Sequence, residues 1–97
     1  ITDATWEDLA ISGADRELDA CLTTGTFAIG LDLERAPAGL RDALARADLV
    51  IAKGMANFEA LAGTDVRPIA HLLRSKCEPV AKAIGAKRDH NVIKVIE

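Results

Sequence analysis

Tyrosine is absent from the 97 residues, and only Trp6, Phe27 and Phe58 carry aromatic rings. A domain of this length hides only about 60–65% of the surface its unfolded chain exposes, so a core without many large rings is thin. No apolar run approaches the ~20 residues that a membrane helix needs, and no basic region with a hydrophobic core opens the chain, so neither a spanning helix nor a secretory signal is expected. The two cysteines, Cys21 and Cys77, fit no motif spacing. That argues against a disulfide framework or a zinc knuckle and makes a reducing cytoplasm the expected compartment. An excess of positive charge is missing too: 12 basic residues face 15 acidic ones, for a net charge of −3. Residues 74–97 hold six basic and three acidic side chains, too few for nucleic acid, and no aromatic stacking platform accompanies them.

What the chain does have is 49% apolar residues, many of them alanine, which suits close packing of helix on sheet. It opens with Ile1 almost directly before a helix entry, so it is read as one domain over residues 1–97 that forms the carboxyl-terminal portion of a longer polypeptide.

Segment types alternate along it. Thr5 to Ser12 reads as a short helix with Trp6, Leu9 and Ala10 on one face, Asp3 or Thr5 as its cap and Gly13 as its stop. Leu18 to Leu22 alternates like a strand. Residues 26–36, bent at Gly30, suit either a short helix or an irregular loop. After Pro37, the residues Leu40, Ala43, Leu44 and Ala47 repeat at i, i+3, i+4 and i+7, an amphipathic helix with Arg41 and Arg46 outward. Leu49 to Ala52 is a wholly apolar run, as in a strand covered on both faces. Met55 to Ala62 reads as a helix stopped by Gly63, and Pro68 to Leu73 as another strand. Ser75-Lys76-Cys77-Glu78 has capping-box spacing for a helix through Ile84, and Val92 to Ile96 closes as a strand. This order predicts an α/β fold: a mostly parallel sheet with helices on both faces, three-layered and Rossmann-like, here its carboxyl-terminal part.

In open parallel sheets, ligands bind beyond the carboxyl ends of the strands. The polar stretch KGMANFE stands at that place after Leu49-Val50-Ile51-Ala52. Lys53 is delivered at a strand end, Gly54 allows a tight turn and close backbone approach, and the following helix offers free amides that favour an anion. Asn57 and Glu59 follow closely enough to orient a ligand or a water. The plainer alternative is an ordinary strand-to-helix turn with solvated side chains. It is not a Walker loop, because the glycine spacing and terminal Lys-Ser/Thr are missing.

ADLVIAKGMANFEAL resembles the signature of the damage-control phosphatases, a metal-dependent family first catalogued as a domain of unknown function. There strand, KGxxN(F/Y)E and helix follow in that order. ITDATWEDL at residues 1–9 is similar to the family's (N/S)D-(A/V/T)-T segment. HLLRSKCEPVAKAIGAKRDHNVIKV at 71–95 is similar to its closing strand, helix and strand, so the resemblance covers essentially the whole chain and points to an archaeal-like member. It implies that Asp3 is a metal ligand, although helix N-capping explains an Asp there as well. It implies that Lys53, Asn57 and Glu59 are catalytic and that Lys53, Gly54 and Asn57 face the phosphate. The family's upstream Asp-Asn pair has no counterpart here, because no such dipeptide occurs. The remaining metal ligands are therefore expected from the upstream polypeptide or a second chain.

Phosphomonoester hydrolysis is accelerated by up to ~10²¹, roughly 29 kcal/mol of barrier. One preorganised cation or donor supplies about 3–4 kcal/mol, so a divalent metal is expected to polarise the phosphoryl oxygens while Lys53 neutralises residual charge. Oxygen ligands suit magnesium or manganese, with cobalt or nickel as substitutes.

Other residues read more plainly. Cys77, beside Lys76 at a helix entry, has the setting of a low-pKa thiol, but a buried helix-entry cysteine is the commoner case. His71 reads as a packed, hydrogen-bonded core residue rather than a ligand, His90 as turn surface, and Trp6 and Phe58 as core. The expected function is divalent-metal-dependent hydrolysis of phosphomonoesters of small metabolites, such as damaged sugar phosphates or nucleotides. S-adenosylmethionine-dependent carboxyl methyl transfer ranks lower because no GxGxG loop is present. A non-catalytic structural half is the third reading.

Overall fold

The computed structural model describes residues 4–26, 28–75, 82, 85 and 89–97. Asp3, Phe27, Cys77 and nearly all of the helix expected after Ser75 lie outside the described residues. The elements are α1 (Trp6–Ser12), α2 (Ala14–Glu17), α3 (Ala38–Arg46), β1 (Val50–Lys53), α4 (Met55–Leu61), β2 (Ile69–Arg74) and β3 (Asn91–Ile96).

Thr5, not Asp3, caps α1. Its hydroxyl accepts from the Asp8 amide at 3.2 Å, while the Asp8 carboxylate accepts from the Thr5 amide at 3.0 Å, a reciprocal capping box that satisfies two orphan donors. Gly13, at φ 79°, ends α1 in the left-handed region and leads directly into α2. The apolar face of α1 does not reach a core. Trp6 is 56% exposed, which corrects its expected core position.

No strand forms at Leu18–Leu22 among the described residues. Alternation marks which side chains share a face, but a strand also needs a neighbour to accept its ladder. The three strands present pair with one another, and Leu18 and Leu22 are both exposed. The α3 stripe is as expected: Leu40, Ala43, Leu44 and Ala47 are half-buried, and Arg41 and Arg46 are exposed.

The sheet has the order β1-β2-β3 and is mixed. β1 and β2 run parallel, joined through α4, whereas β3 returns antiparallel to β2. This corrects the expectation of a mostly parallel sheet. The register sorts side chains into two faces. Val50, Ile69 and Ile96 lie abreast on one face, as do Ala52, His71 and Lys94. On that face α4 lays down Phe58 and Leu61. Leu61 packs with Ala52 and Ile69, and Phe58 packs with Leu73. The other face carries Ile51 abreast of Ala70 and Val95, and Leu72 abreast of Ile93. Ile51 is 60% exposed, Val95 54% and Ile93 73%. β1 is thus covered on one face, not both, and the apolar run that suggested full burial has half of its side chains in solvent.

Candidate functional site

Lys53 ends β1 and Gly54 turns the chain into α4. Gly54 sits at φ 90°, ψ 160°, where a side chain is strained and glycine is not. Its N–H donates to the Leu72 carbonyl at 2.9 Å and extends the β1–β2 ladder one residue further. Its carbonyl accepts from the Phe58 amide at 3.2 Å and starts α4. Both main-chain groups of Gly54 therefore work inside the fold. Among the described residues no side chain caps the amides that begin α4.

Asn57 holds the turn from within. Its Oδ1 accepts from the Leu31 amide at 2.9 Å, and its Nδ2 donates to the Lys53 carbonyl at 3.0 Å. Beside it Gly30, at φ 76°, approaches so closely that a β-carbon would stand 2.6 Å from the Ala56 carbonyl oxygen. Loop 28–33 is in this way laid against the first turns of α4, pinned by one side-chain amide and admitted by one glycine. Sequence reasoning missed this contact. The sole signal was Gly30 itself, since Leu31 lies 26 residues from its partner.

The Lys53 side chain is exposed. Strand alternation places it on the sheet face of Ile51, opposite to the face under α4. Among the described residues it has no ion pair. Glu59 is also exposed, but at about 100° per residue it stands about 200° around α4 from Asn57, on the other flank. The structure thus gathers the Lys53 main chain, Gly54 and Asn57 into one turn and sets Glu59 apart from them. Asp3 lies outside the described residues. Two of the described acidic side chains have local duties, Asp8 in the α1 cap and Asp32 accepting from the Glu34 amide at 3.1 Å. Among the described residues no three of His, Cys, Asp and Glu come together as a metal ligand set, so this part of the chain does not by itself fit a divalent ion.

Two polar residues behind the turn are fully buried, His71 and Ser75. The His71 ring meets Phe58 edge-on, with centroids 5.0 Å apart and planes at 86°. Among the described residues neither ring nitrogen has a hydrogen-bond partner, so within them His71 is packed as expected but without the expected hydrogen bond. Burial lowers its pKa from 6.5, because a buried imidazolium loses its hydration. Ser75 ties β2 to the entry of β3: its hydroxyl accepts from the His90 amide at 3.1 Å and donates to the His90 carbonyl at 3.2 Å. His90 itself is exposed, at the turn where it was expected.

A glycine-turned strand end that carries a lysine and is clamped by the next helix's asparagine defines a class that comparison makes specific. The family described as the damage-control phosphatase ARMT1-like domain matches residues 1–92, and the chain belongs to that family. A damage-control phosphatase of Archaeoglobus fulgidus is 47% identical over 97 residues, all of this chain and 34% of that protein. A damage-control phosphatase of Pyrococcus horikoshii is 38% identical over 84 residues, 87% of this chain and 29% of that protein. The crystal structure of a DUF89 family protein from Pyrococcus horikoshii superposes with a TM-score of 0.84 at 35% identity, covering 94% of this chain and 32% of that one. The chain spans about a third of the length of the curated relatives it matches and corresponds to their carboxyl-terminal portion. No helix among the described residues is long and apolar enough to cross a membrane.

Proposed function

We propose that this chain is the carboxyl-terminal part of a divalent-metal-dependent phosphatase that hydrolyses phosphomonoesters of small metabolites, such as damaged sugar phosphates or nucleotides, in the cytoplasm. The observation that carries this reading is the KGMANFE turn: Lys53 is exposed without an ion-pair partner among the described residues, at a strand end whose carbonyl Asn57 holds in place. It gains weight from the chain's membership of a phosphatase family.

In this reading the Lys53 ammonium meets the phosphoryl oxygens as a point charge on a flexible stem. Gly54 supplies a turn without a side chain, so the substrate can approach the backbone. Asn57 has one N–H committed to Lys53 and a second available to orient an oxygen of the ligand. Glu59 orients a water from the opposite flank of α4. Asp3 is the metal ligand this chain contributes, with the others coming from the upstream polypeptide or a second chain. When bound, a magnesium, manganese, cobalt or nickel ion would supply Lewis-acid polarisation of the phosphoryl group.

The test is phosphate release from a generic aryl phosphate by the intact polypeptide with added divalent ions. Lys53→Ala and Asp3→Ala should each lower the rate at least about 100-fold, the scale of one preorganised charge or donor, while unfolding stays cooperative. Full activity in either variant overturns the assignment. A second reading, a non-catalytic structural half, is favoured by the lack of a ligand set among the described residues. It predicts that the intact polypeptide keeps its rate when Lys53 is replaced.

A further inference from the structure

We propose that loop 28–33 is a positioning element of the KGMANFE turn. Gly30 lets the loop close on α4, and the Leu31 main-chain N–H sets the Asn57 amide, which in turn holds the Lys53 peptide ready for an anionic oxygen. The inference rests on the phosphatase reading for the identity of that anion, a phosphoryl group, and on the hydrogen bonds of this chain for the rest.

The last torsion of an asparagine side chain has broad energy wells, so one hydrogen bond leaves the amide free to swing and two opposed bonds do not. Asn57 has two. Its Oδ1 accepts from the Leu31 amide at 2.9 Å, and its Nδ2 donates to the Lys53 carbonyl at 3.0 Å. Both bonds demand the same sense of the group: reversed, it would set oxygen against the Lys53 carbonyl and N–H against the Leu31 N–H. With that sense fixed, the second Nδ2 hydrogen has one direction. The Lys53–Gly54 peptide is fixed as well, because Asn57 holds its carbonyl and the Leu72 carbonyl accepts from its N–H at 2.9 Å. The Lys53 side chain thus leaves the strand from a main chain gripped on both sides.

The loop can serve as a fixed support because it has its own anchor. Leu31 and Leu33 pack against the cluster of Ala52, Leu61 and Ile69, so the Leu31 N–H is carried by the same core that carries β1. Gly30 brings the loop close enough. At φ 76° an added β-carbon would stand 2.6 Å from the Ala56 carbonyl oxygen and 3.3 Å from the Ala60 β-carbon, so any other residue would hold the loop off the helix. A site is as precise as the contacts that lock its side chains from behind. Here that support comes from a main-chain donor 26 residues away from Asn57, so it depends on the path of the loop and not on which side chain stands at position 31. Gly30 and Leu31 are positioning residues: they reach the anion only through Asn57 and Lys53.

Deleting one hydrogen tests the assignment. In the polypeptide that carries this chain with its upstream part, Leu31 is replaced by its α-hydroxy acid, which keeps the side chain and puts an ester oxygen where the N–H was. Gly30→Ala is the second variant, and Gly39→Ala, whose β-carbon meets nothing within 4 Å, is the control. Hydrogen exchange is followed at the Gly54 amide and at the His90 amide, which bonds to Ser75 at the far end of β2. The dissociation constant of inorganic phosphate is measured by calorimetry with magnesium present. In the ester variant, exchange at Gly54 should rise at least about tenfold more than at His90, and in both variants phosphate should bind at least about fivefold more weakly than in the control, the scale of one lost hydrogen bond. The ester variant alone decides where Gly30→Ala does not fold. A smaller difference between Gly54 and His90 overturns the inference whatever phosphate does, because the turn is then held by something else or the whole fold has loosened. Faster exchange at Gly54 with unchanged phosphate binding also overturns it, and Lys53→Ala then separates the causes. Weaker phosphate binding in Lys53→Ala leaves the phosphatase reading standing, whereas unchanged binding, or none in the parent, removes that reading as well.

Discussion

The Asn57 side chain joins two segments that the chain keeps far apart, donating to the Lys53 carbonyl at 3.0 Å and accepting from the Leu31 amide at 2.9 Å. The amide is used at both ends, as donor and as acceptor, and no other side-chain type of this length has both functions with fixed geometry. Asn57→Ala leaves the Leu31 amide and the Lys53 carbonyl without these partners. A lost, part-buried bond of this kind costs about 1–3 kcal/mol. Asn57→Asp keeps the acceptor but sets a carboxylate against the Lys53 carbonyl, so it should be no better than alanine. Urea unfolding reads the stability loss, and hydrogen exchange of the Leu31 amide should accelerate in Asn57→Ala. Unchanged exchange at Leu31 would show that loop 28–33 is held by something else.

Gly30 and Gly39 make a paired prediction of opposite sign. At Gly30 the backbone is at φ 76° and an added β-carbon would stand 2.6 Å from the Ala56 carbonyl oxygen, a backbone atom that cannot swing away. Gly30→Ala adds this contact to a left-handed penalty of about 1–2 kcal/mol, and its urea midpoint should fall well below that of the parent. Gly39 lies near the start of α3 with nothing within 4 Å of its would-be β-carbon. Gly39→Ala should stabilise by about 0.5–1 kcal/mol, chiefly by restricting the unfolded chain. Equal midpoints for the two variants would mean that loop 28–33 does not rest on α4.

Ser75 predicts a local effect at the other end of β2. Its buried hydroxyl accepts from the His90 amide and donates to the His90 carbonyl, so one oxygen fixes where β3 begins. Ser75→Ala removes both bonds and should cost about 1–3 kcal/mol. The loss should be accompanied by faster hydrogen exchange at the His90 amide, which a merely smaller core would not produce. Ser75→Thr keeps the hydroxyl and tests whether the space admits one more methyl group.

Elements that carry their own periodicity were legible from the residues. The half-buried stripe of α3 follows the i, i+3, i+4, i+7 spacing of Leu40, Ala43, Leu44 and Ala47, and β1, α4, β2 and β3 stand within a residue or two of their patterns. What failed depended on partners. Leu18 to Leu22 alternates, but pairing is a property of a neighbour, and no strand forms there. The direction of β3 was not legible because residues 92–96 read the same in either sense. The strand-end position of Lys53 and Gly54 could be read from KGMANFE. The structural duty of Asn57 could not, since its acceptor role is completed by Leu31, which no local pattern links to it. The opposite flanks of Asn57 and Glu59 follow from helix geometry alone and were available once α4 was accepted.

His71 gives a prediction in pH. It is fully buried, its two ring nitrogens have no hydrogen-bond partner among the described residues, and burial lowers its pKa from 6.5. No charged side chain of its own strand shares its face, Lys94 is its register partner on β3, and the cause of the shift is the hydration an imidazolium would lose in the buried site. The folded protein therefore holds His71 neutral at pH values where the unfolded chain already binds a proton. Where the unfolded state binds more protons, stability rises with pH. The contribution of His71 is accordingly complete above about pH 6.5 and is lost as pH falls below 6.5 toward the lowered folded-state pKa. The urea midpoint should decline between pH 7.5 and 5, and in His71→Phe that decline should be shallower. At pH 7.5 the phenylalanine variant should be about as stable as the parent or slightly more so, since replacing unpaired buried polar atoms with an apolar ring of similar shape removes a desolvation cost. A parent midpoint that does not move over this range would mean that both nitrogens of His71 find partners in the complete protein.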